Sequence, residues 1–191
     1  MGYPIVLDLE TKKTFREETN PAKLGISVVG VYDYKDRMLK AFFEDELGAL
    51  FTLLEGASTV IGFNIDSFDM AVLQGYYPGN ISQFKTFDIL EDIRSILGRR
   101  LALNDLVSAT LNKRKSGHGL QAIEYYKEGQ LDKLKIYCMD DVSLTHELFE
   151  YGVSEKKIYY MNAAGKQSFS VSWAQHIKQN KAQDISLTLP F

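Results

Sequence analysis

Ile5-Val6-Leu7-Asp8-Leu9-Glu10 begins as a buried strand and ends as something else. Its first three residues are apolar and two of them are β-branched, which suits a short strand packed into a core. Acids then intrude at positions 8 and 10. A period of two puts Asp8 and Glu10 on the same face of the sheet. Carboxylates that close repel, and each disfavours ionisation of the other. A divalent cation removes the repulsion. A solvated strand end tolerates it without one, so the segment alone leaves both readings open.

The following segments give this strand its setting. Lys12 to Pro21 is polar and is expected to loop out. Leu24–Tyr34 and Met38–Phe43 read as two more strands, with Asp33-Tyr34-Lys35-Asp36-Arg37 as the turn between them. Glu44–Glu55 has helical spacing, with Leu47, Leu50, Phe51 and Leu54 on one face and Gly56 at its stop. Ser58–Phe63 reads as a short strand, and Ser67–Tyr77 as a helix ended by Pro78-Gly79. Thr86–Leu97 is expected to be a helix with Ile89, Leu90, Ile93 and Leu97 on its core stripe. Asn104 is placed to cap a helix reaching Leu111. A basic, Gly-rich loop, Lys113 to Gly119, precedes helices over Leu120–Lys127 and Leu131–Tyr151, and Glu155–Ala164 reads as a further helix. Three strands, a helix, a strand, then mostly helices describe an α/β domain with a mixed sheet.

Composition narrows the classes. Of 191 residues, 45% are apolar and 25% charged, which excludes disorder, collagen or coiled coil as the dominant character. The length predicts one domain, with residues 153–191 as a helical extension and tail to a domain over 1–152. No apolar run approaches the ~20 residues of a membrane span, so no membrane partner is expected. Met1-Gly2-Tyr3-Pro4 leads into the first strand with no basic-then-apolar leader, so a cytoplasmic location is expected. The single cysteine, Cys138, excludes an internal disulfide and a Cys-rich zinc site. The net charge is −3, so any contact with a polyanion would need a local basic patch or metal ions.

Two further segments carry candidate chemistry. Gly62-Phe63-Asn64-Ile65-Asp66-Ser67-Phe68-Asp69 leaves a strand and enters a helix, a common place for ligand-binding groups. Asp69 also suits an ordinary first-turn acid, and Asn64 an ordinary turn bridge. In Tyr137-Cys138-Met139-Asp140-Asp141 the first and last residues are i and i+4, so Tyr137 and Asp141 project from one helix face. A core tyrosine hydrogen-bonded to a neighbour would give the same spacing. Asp140 points elsewhere.

Together these segments resemble the DEDD superfamily of 3′→5′ exonucleases in its tyrosine-bearing branch. Asp8-Leu9-Glu10-Thr11 is similar to the first motif, D-x-E-T. Asn64 through Phe68-Asp69 is similar to the second, in the N-x-x-x-F-D form of the proofreading domain of family B DNA polymerases. Tyr137 through Asp141 is similar to the third, Y-x-x-x-D. The histidine-bearing branch places a His five residues before the last Asp, where this chain has Ile136. His118 and His146 stand at other spacings and read as loop or surface residues.

The resemblance covers about residues 4–152 and implies an RNase H-like mixed β-sheet flanked by α-helices. It implies a catalytic set of Asp8, Glu10, Asp69, Tyr137 and Asp141. The four acids would hold two divalent cations, Mg²⁺ or Mn²⁺, and Tyr137 would orient the attacking water. The partner implied is the 3′ end of single-stranded nucleic acid, DNA favoured over RNA, with nucleoside 5′-monophosphates as product. Thr11, Asn64 and Phe68 are candidates for contact with the terminal nucleotide, and Lys113, Arg114 and Lys115 for its phosphates. With no polymerase segment in the sequence, a stand-alone exonuclease or a subunit is expected. Gln183 to Phe191 loosely resembles peptides that dock on bacterial sliding clamps and is a candidate for a protein partner.

Overall fold

The computed structural model describes residues 2–115, 117 and 119–177. Five strands form one mixed sheet: β1 (Ile5–Thr11), β2 (Ile26–Asp33), β3 (Met38–Phe42), β4 (Val60–Gly62) and β5 (Thr86–Asp88). Their order is β3-β2-β1-β4-β5, which puts β1 in the centre. The meander β1-β2-β3 is antiparallel, while β4 and β5 run parallel to β1. The helices are α1 (Leu47–Gly56), α2 (Asp69–Leu73), α3 (Ile89–Leu97), α4 (Leu103–Leu111), α5 (Gly119–Lys127) and α6 (Leu131–Glu155).

The alternation in β1 sorts its side chains into two layers. Ile5, Leu7 and Leu9 pack with Leu50 and Leu54 of α1 and Val72 and Leu73 of α2. Val6 faces the other way, into a core with Ile93, Val107, Val142 and Phe149 from α3, α4 and α6. Asp8 and Glu10 share that second face with Val6 by the period of two. On β2 the residues opposite Val6, Asp8 and Glu10 are Tyr32, Gly30 and Val28. Helix α6 crosses this face, with Cys138 packed against Val28 and His146 stacked on Tyr32 at 3.7 Å between ring centroids. Half-buried against that ring, His146 is not the surface residue expected from the sequence.

Gly30 is where α6 comes closest. A Cβ built there would lie 2.7 Å from Val142 Cγ2 and 3.0 Å from Cys138 Sγ. A glycine inside a strand often marks such a close approach.

Several expected elements differ. Thr86–Leu97 is not one helix: Thr86–Asp88 pairs with β4 as an edge strand, and the helix starts at Ile89. Asp88 sets that start, its carboxylate accepting from the Leu90 and Glu91 amides at 2.9 and 3.3 Å. Asn104 does not cap α4, where Ala102 holds the cap position; its Oδ1 accepts from the Lys115 amide at 3.1 Å.

The helix expected over 155–164 is instead a hairpin, β6 (Lys157–Asn162) and β7 (Gly165–Ser170). Alternation places Ile158 and Phe169 inward, in one core with Val6 and Phe149. The boundary expected at 152/153 falls inside α6, which ends at Glu155 where Lys156 turns left-handed. Trp173 closes this end. Gly152 makes room for it, since a Cβ there would lie 2.2 Å from Trp173 Cε3, and the indole N–H donates to Asp92 at 2.7 Å. The tail Gln183–Phe191 and residues Ser116 and His118 lie outside the described residues.

Candidate active site

The C-terminal end of β1, the start of α2 and the middle of α6 meet at one cleft of about 490 Å³. Its lining includes Asp8, Glu10 and Thr11 from β1, Phe68 and Asp69 at the α2 start, and Tyr137 and Asp141 from α6. One carboxylate oxygen each from Asp8, Glu10 and Asp141 lie within 4.8 Å of one another. The strand period supplies the first two, and the helix seated on Gly30 brings the third across.

Asp69 stands beside this group. Its Oδ1 accepts the Leu9 amide at 3.0 Å, so it ties the α2 start to β1 between the two strand acids. An ordinary first-turn acid would serve its own helix; this one is buried and reaches 60 residues back in sequence.

Lys115 is the cation paired with the acids of the cleft, whose lining also includes Lys13. Its Nζ lies 2.6 Å from Asp141 Oδ2, with the lysine side chain 25% and the aspartate 3% exposed. Burial alone would lower the ammonium, but Asp141, Asp8 and Glu10 offset this and hold it above its ordinary value. This pairing does not balance the acids. Burial pushes the Asp8 carboxyl up to about 7, with Asp141 adding to the rise and Lys115 opposing it. Glu10 is pushed up by burial and then by Asp8 and Asp141, and Asp69 by burial and Asp8. Asp141 also lies above its ordinary value, because burial outweighs its pairing with Lys115.

Two buried polar atoms here have no hydrogen-bond partner among the described residues: the Tyr137 hydroxyl and Asp141 Oδ1. Unsatisfied buried oxygens are costly and call for an explanation. Together with converging carboxylates in excess of the local positive charge, they fit a divalent cation and its water. The donors are all hard oxygens, which suits Mg²⁺ or Mn²⁺ more than zinc. Burial, then Asp141 and Glu10, push the Tyr137 phenol above its ordinary value, so it is neutral at pH 7.

The other sequence candidates separate. Thr11 is buried at the cleft and its hydroxyl donates to the Lys13 carbonyl at 2.8 Å. Phe68 lines the cleft and meets Phe15 edge-on at 5.8 Å. Asn64 is not in the lining. It holds a left-handed turn (φ 66°), accepts from Ser67 Oγ at 2.8 Å and from Arg100, and its amide donates to Asp88. Lys113 and Arg114 line a separate groove with Asp140, Ser143, Leu144 and Glu147 on α6, so of the three basic candidates only Lys115 reaches the acids.

Phe15, Leu120 and Ile123 also line the cleft and were not anticipated. Phe15 is 52% and Leu120 59% exposed. An aromatic alone in the polar Lys12–Pro21 segment was the available signal for the first. Leu120 was read only as the first residue of the helix over Leu120–Lys127.

The sequence model of the RNase H superfamily matches residues 5–153. No curated protein matches the chain. Among solved structures, a family B DNA polymerase from the archaeon Pyrobaculum calidifontis is similar over 82% of this chain, with TM-score 0.58 and 14% identity. RNase D of Trypanosoma brucei is similar over 80%, with TM-score 0.57 and 17% identity. Its complex with RNA U12 gives TM-score 0.58 and 14% identity over 80%. The chain spans 26% of the polymerase and 58% and 56% of the two RNase D chains. No helix among the described residues is long and apolar enough to cross a membrane.

Proposed function

This chain belongs to the RNase H superfamily, and on that footing we propose that it is a metal-dependent 3′→5′ exonuclease acting on single-stranded nucleic acid, DNA in preference to RNA. The observation that carries this reading is the meeting of Asp8, Glu10 and Asp141 within 4.8 Å, beside Asp69 and a Tyr137 hydroxyl with no partner among the described residues. The order and spacing of the motifs, and the likeness to a family B DNA polymerase, support it and favour DNA.

Divalent cations bound among these oxygens would activate water and relieve charge at the scissile phosphate. Asp8, Glu10, Asp141 and Asp69 would hold these ions. The Tyr137 phenol stays neutral, so it orients the attacking water by hydrogen bonding and does not act as a strong base. Lys115 keeps a positive charge beside Asp141, where it can meet a phosphate oxygen of the substrate. Phe68 and Phe15 present an edge-to-face pair on which the terminal base can stack. Thr11, at the end of β1, brings its backbone to the same place. Attack by the oriented water on the last phosphodiester would break its P–O3′ bond, releasing a nucleoside 5′-monophosphate and leaving the shortened strand with a 3′-hydroxyl that takes its proton from solvent.

A second reading, an exoribonuclease, is favoured by the likeness to RNase D in complex with RNA U12. The acids address phosphate and not sugar, and discrimination would rest on contacts to the 2′-hydroxyl.

Degradation of 3′- and 5′-labelled single strands, DNA and RNA, with Mg²⁺, Mn²⁺ or EDTA tests both readings. The expected result is release of the 3′ label as mononucleotide, abolished by EDTA and by Asp8→Ala. Absence of cleavage of either polymer under any metal would overturn the catalytic reading. Faster loss from RNA would replace DNA as the preferred substrate.

A further inference from the structure

Outside the cleft, one face of α6 leads away from the acids to the β6–β7 hairpin. Residues 140, 144, 147 and 151 are spaced by four, three and four, so they line one stripe of the helix. At 1.5 Å per residue the stripe runs about 16 Å from Asp140 to Tyr151. Its first part is the groove of about 350 Å³ that holds Lys113 and Arg114. At its far end Tyr151 meets Tyr159 of β6 at 6.5 Å.

The outer face of the hairpin is aromatic and basic. Lys166 Nζ lies 4.5 Å and Lys157 Nζ 5.7 Å from the centre of the Tyr159 ring. Thr110, at the end of α4, fixes this strand through its hydroxyl, which is 3.1 Å from both the amide and the carbonyl of Tyr159. Five residues beyond Thr110 the chain delivers Lys115 to the acids, a reach of at most about 18 Å. Lys113 is paired with Glu147 at 2.6 Å. No acid among the described residues forms an ion pair with Arg114, Lys157 or Lys166. Asp140, Glu147 and Glu155 are the acids along the stripe and at its end.

We infer that Arg114, Lys157, Tyr159 and Lys166 form a second contact surface for the single strand, holding nucleotides on the 5′ side of the end that sits in the cleft. This rests on the exonuclease reading above and adds a region of substrate contact to it. A single strand offers phosphates and stackable bases at regular intervals, which is the chemistry this surface complements. The two lysines that lie over the Tyr159 ring can turn to phosphates while a base takes their place. The three cations without an ion pair among the described residues give a polyanion local contacts that the overall charge of −3 does not.

The test uses the full chain and three variants, Lys157→Gln/Lys166→Gln, Tyr159→Ala and Arg114→Gln, each first shown to melt as the wild type does. A labelled 16-nucleotide strand, DNA and RNA, is bound in EDTA across a range of salt. Its hydrolysis is then compared with that of a dinucleotide, which is too short to leave the cleft. Loss of two phosphate contacts is expected to make the log K against log salt slope shallower by about 1.4. The ratio of kcat/KM between the 16-mer and the dinucleotide should fall about tenfold in the double variant and several-fold in the other two. Unchanged slope and ratio in all three, with the wild type binding and cutting the 16-mer, would overturn the second surface alone. A wild type that neither binds nor cuts any strand would overturn the exonuclease reading and this inference with it.

Discussion

Gly30→Ala adds one methyl group, at the seam on which the cleft depends. The new Cβ would sit 2.7 Å from Val142 Cγ2 and 3.0 Å from Cys138 Sγ. Ordinary contact between carbon atoms is about 3.5–4.0 Å, so α6 must retreat by about 1 Å or the strand must bend. Overpacking of this kind costs about 1–3 kcal/mol. In a chain of this length that is a fall in Tm of roughly 3–9 °C.

The functional cost is expected to be larger than the stability cost. Cys138 and Val142 adjoin Tyr137 and Asp141, so a retreat at Gly30 carries both away from Asp8 and Glu10. A misplacement of about 1 Å at a reacting centre can cost about a hundredfold in rate. The assays are thermal melting in EDTA and kcat for release of the 3′ label. Val142→Ala removes the nearer clashing atom, and the double variant should recover part of both losses. A Gly30→Ala protein with wild-type melting and wild-type kcat would refute the claim that this glycine sets the distance between helix and strand. Strictly additive losses in the double variant would refute the assigned clash.

Asp8→Asn should abolish release of the 3′ label while leaving the metal-free protein as stable as the wild type or more so, since it removes one of several mutually repelling carboxylates; melting in EDTA beside the activity assay checks both. The metal-free wild type should lose stability as pH rises. Asp8 has an ordinary value of 3.8 unfolded and about 7 folded, so between these the folded chain holds a proton that the unfolded chain has released. The stabilisation is therefore full below about pH 4 and gone once pH has passed through about 7, and Asp8→Asn should flatten the profile of Tm against pH in EDTA. Saturating Mg²⁺ should raise Tm most at the upper end of that range, where the carboxylates are free to bind it. Tyr137→Phe should lower kcat by about ten- to a hundredfold with little change in KM, because it removes only the oriented water's partner; a change confined to KM would place the phenol in substrate binding.

Much of the fold and of the candidate site was legible because the signals are local. The acids at the end of β1 break a short apolar run, and the Tyr137–Asp141 pair is read from helical spacing. What was not legible depends on partners distant in sequence. Thr86–Asp88 is too short to show a strand period; it becomes one because the edge of β4 is open and Asp88 starts the next helix. Glu155–Ala164 carries helix-forming residues, yet Ile158 and Phe169 are drawn into the core by α4 and α6, and burial outweighs intrinsic preference. Lys115, Lys113 and Arg114 are consecutive, and only the tertiary path of their loop sends the first to Asp141 and the other two to the outer face of α6. Asn64 matches its motif position, but its side chain serves the turn.

The packing of Trp173 has a consequence for observation in solution. It is the only tryptophan in the chain, it is 1% exposed, and its ring lies nearly parallel to that of Phe149. Its surroundings come from α3, α6 and the hairpin, and it takes no part in the lining of the cleft. Its emission should therefore be blue-shifted in the folded chain and move to the red when that end opens. Events among the acids should leave it unchanged. The chain thus carries a built-in fluorophore that reports the integrity of its C-terminal closure independently of metal binding among the acids, so unfolding and metal binding can be followed separately in the same cuvette.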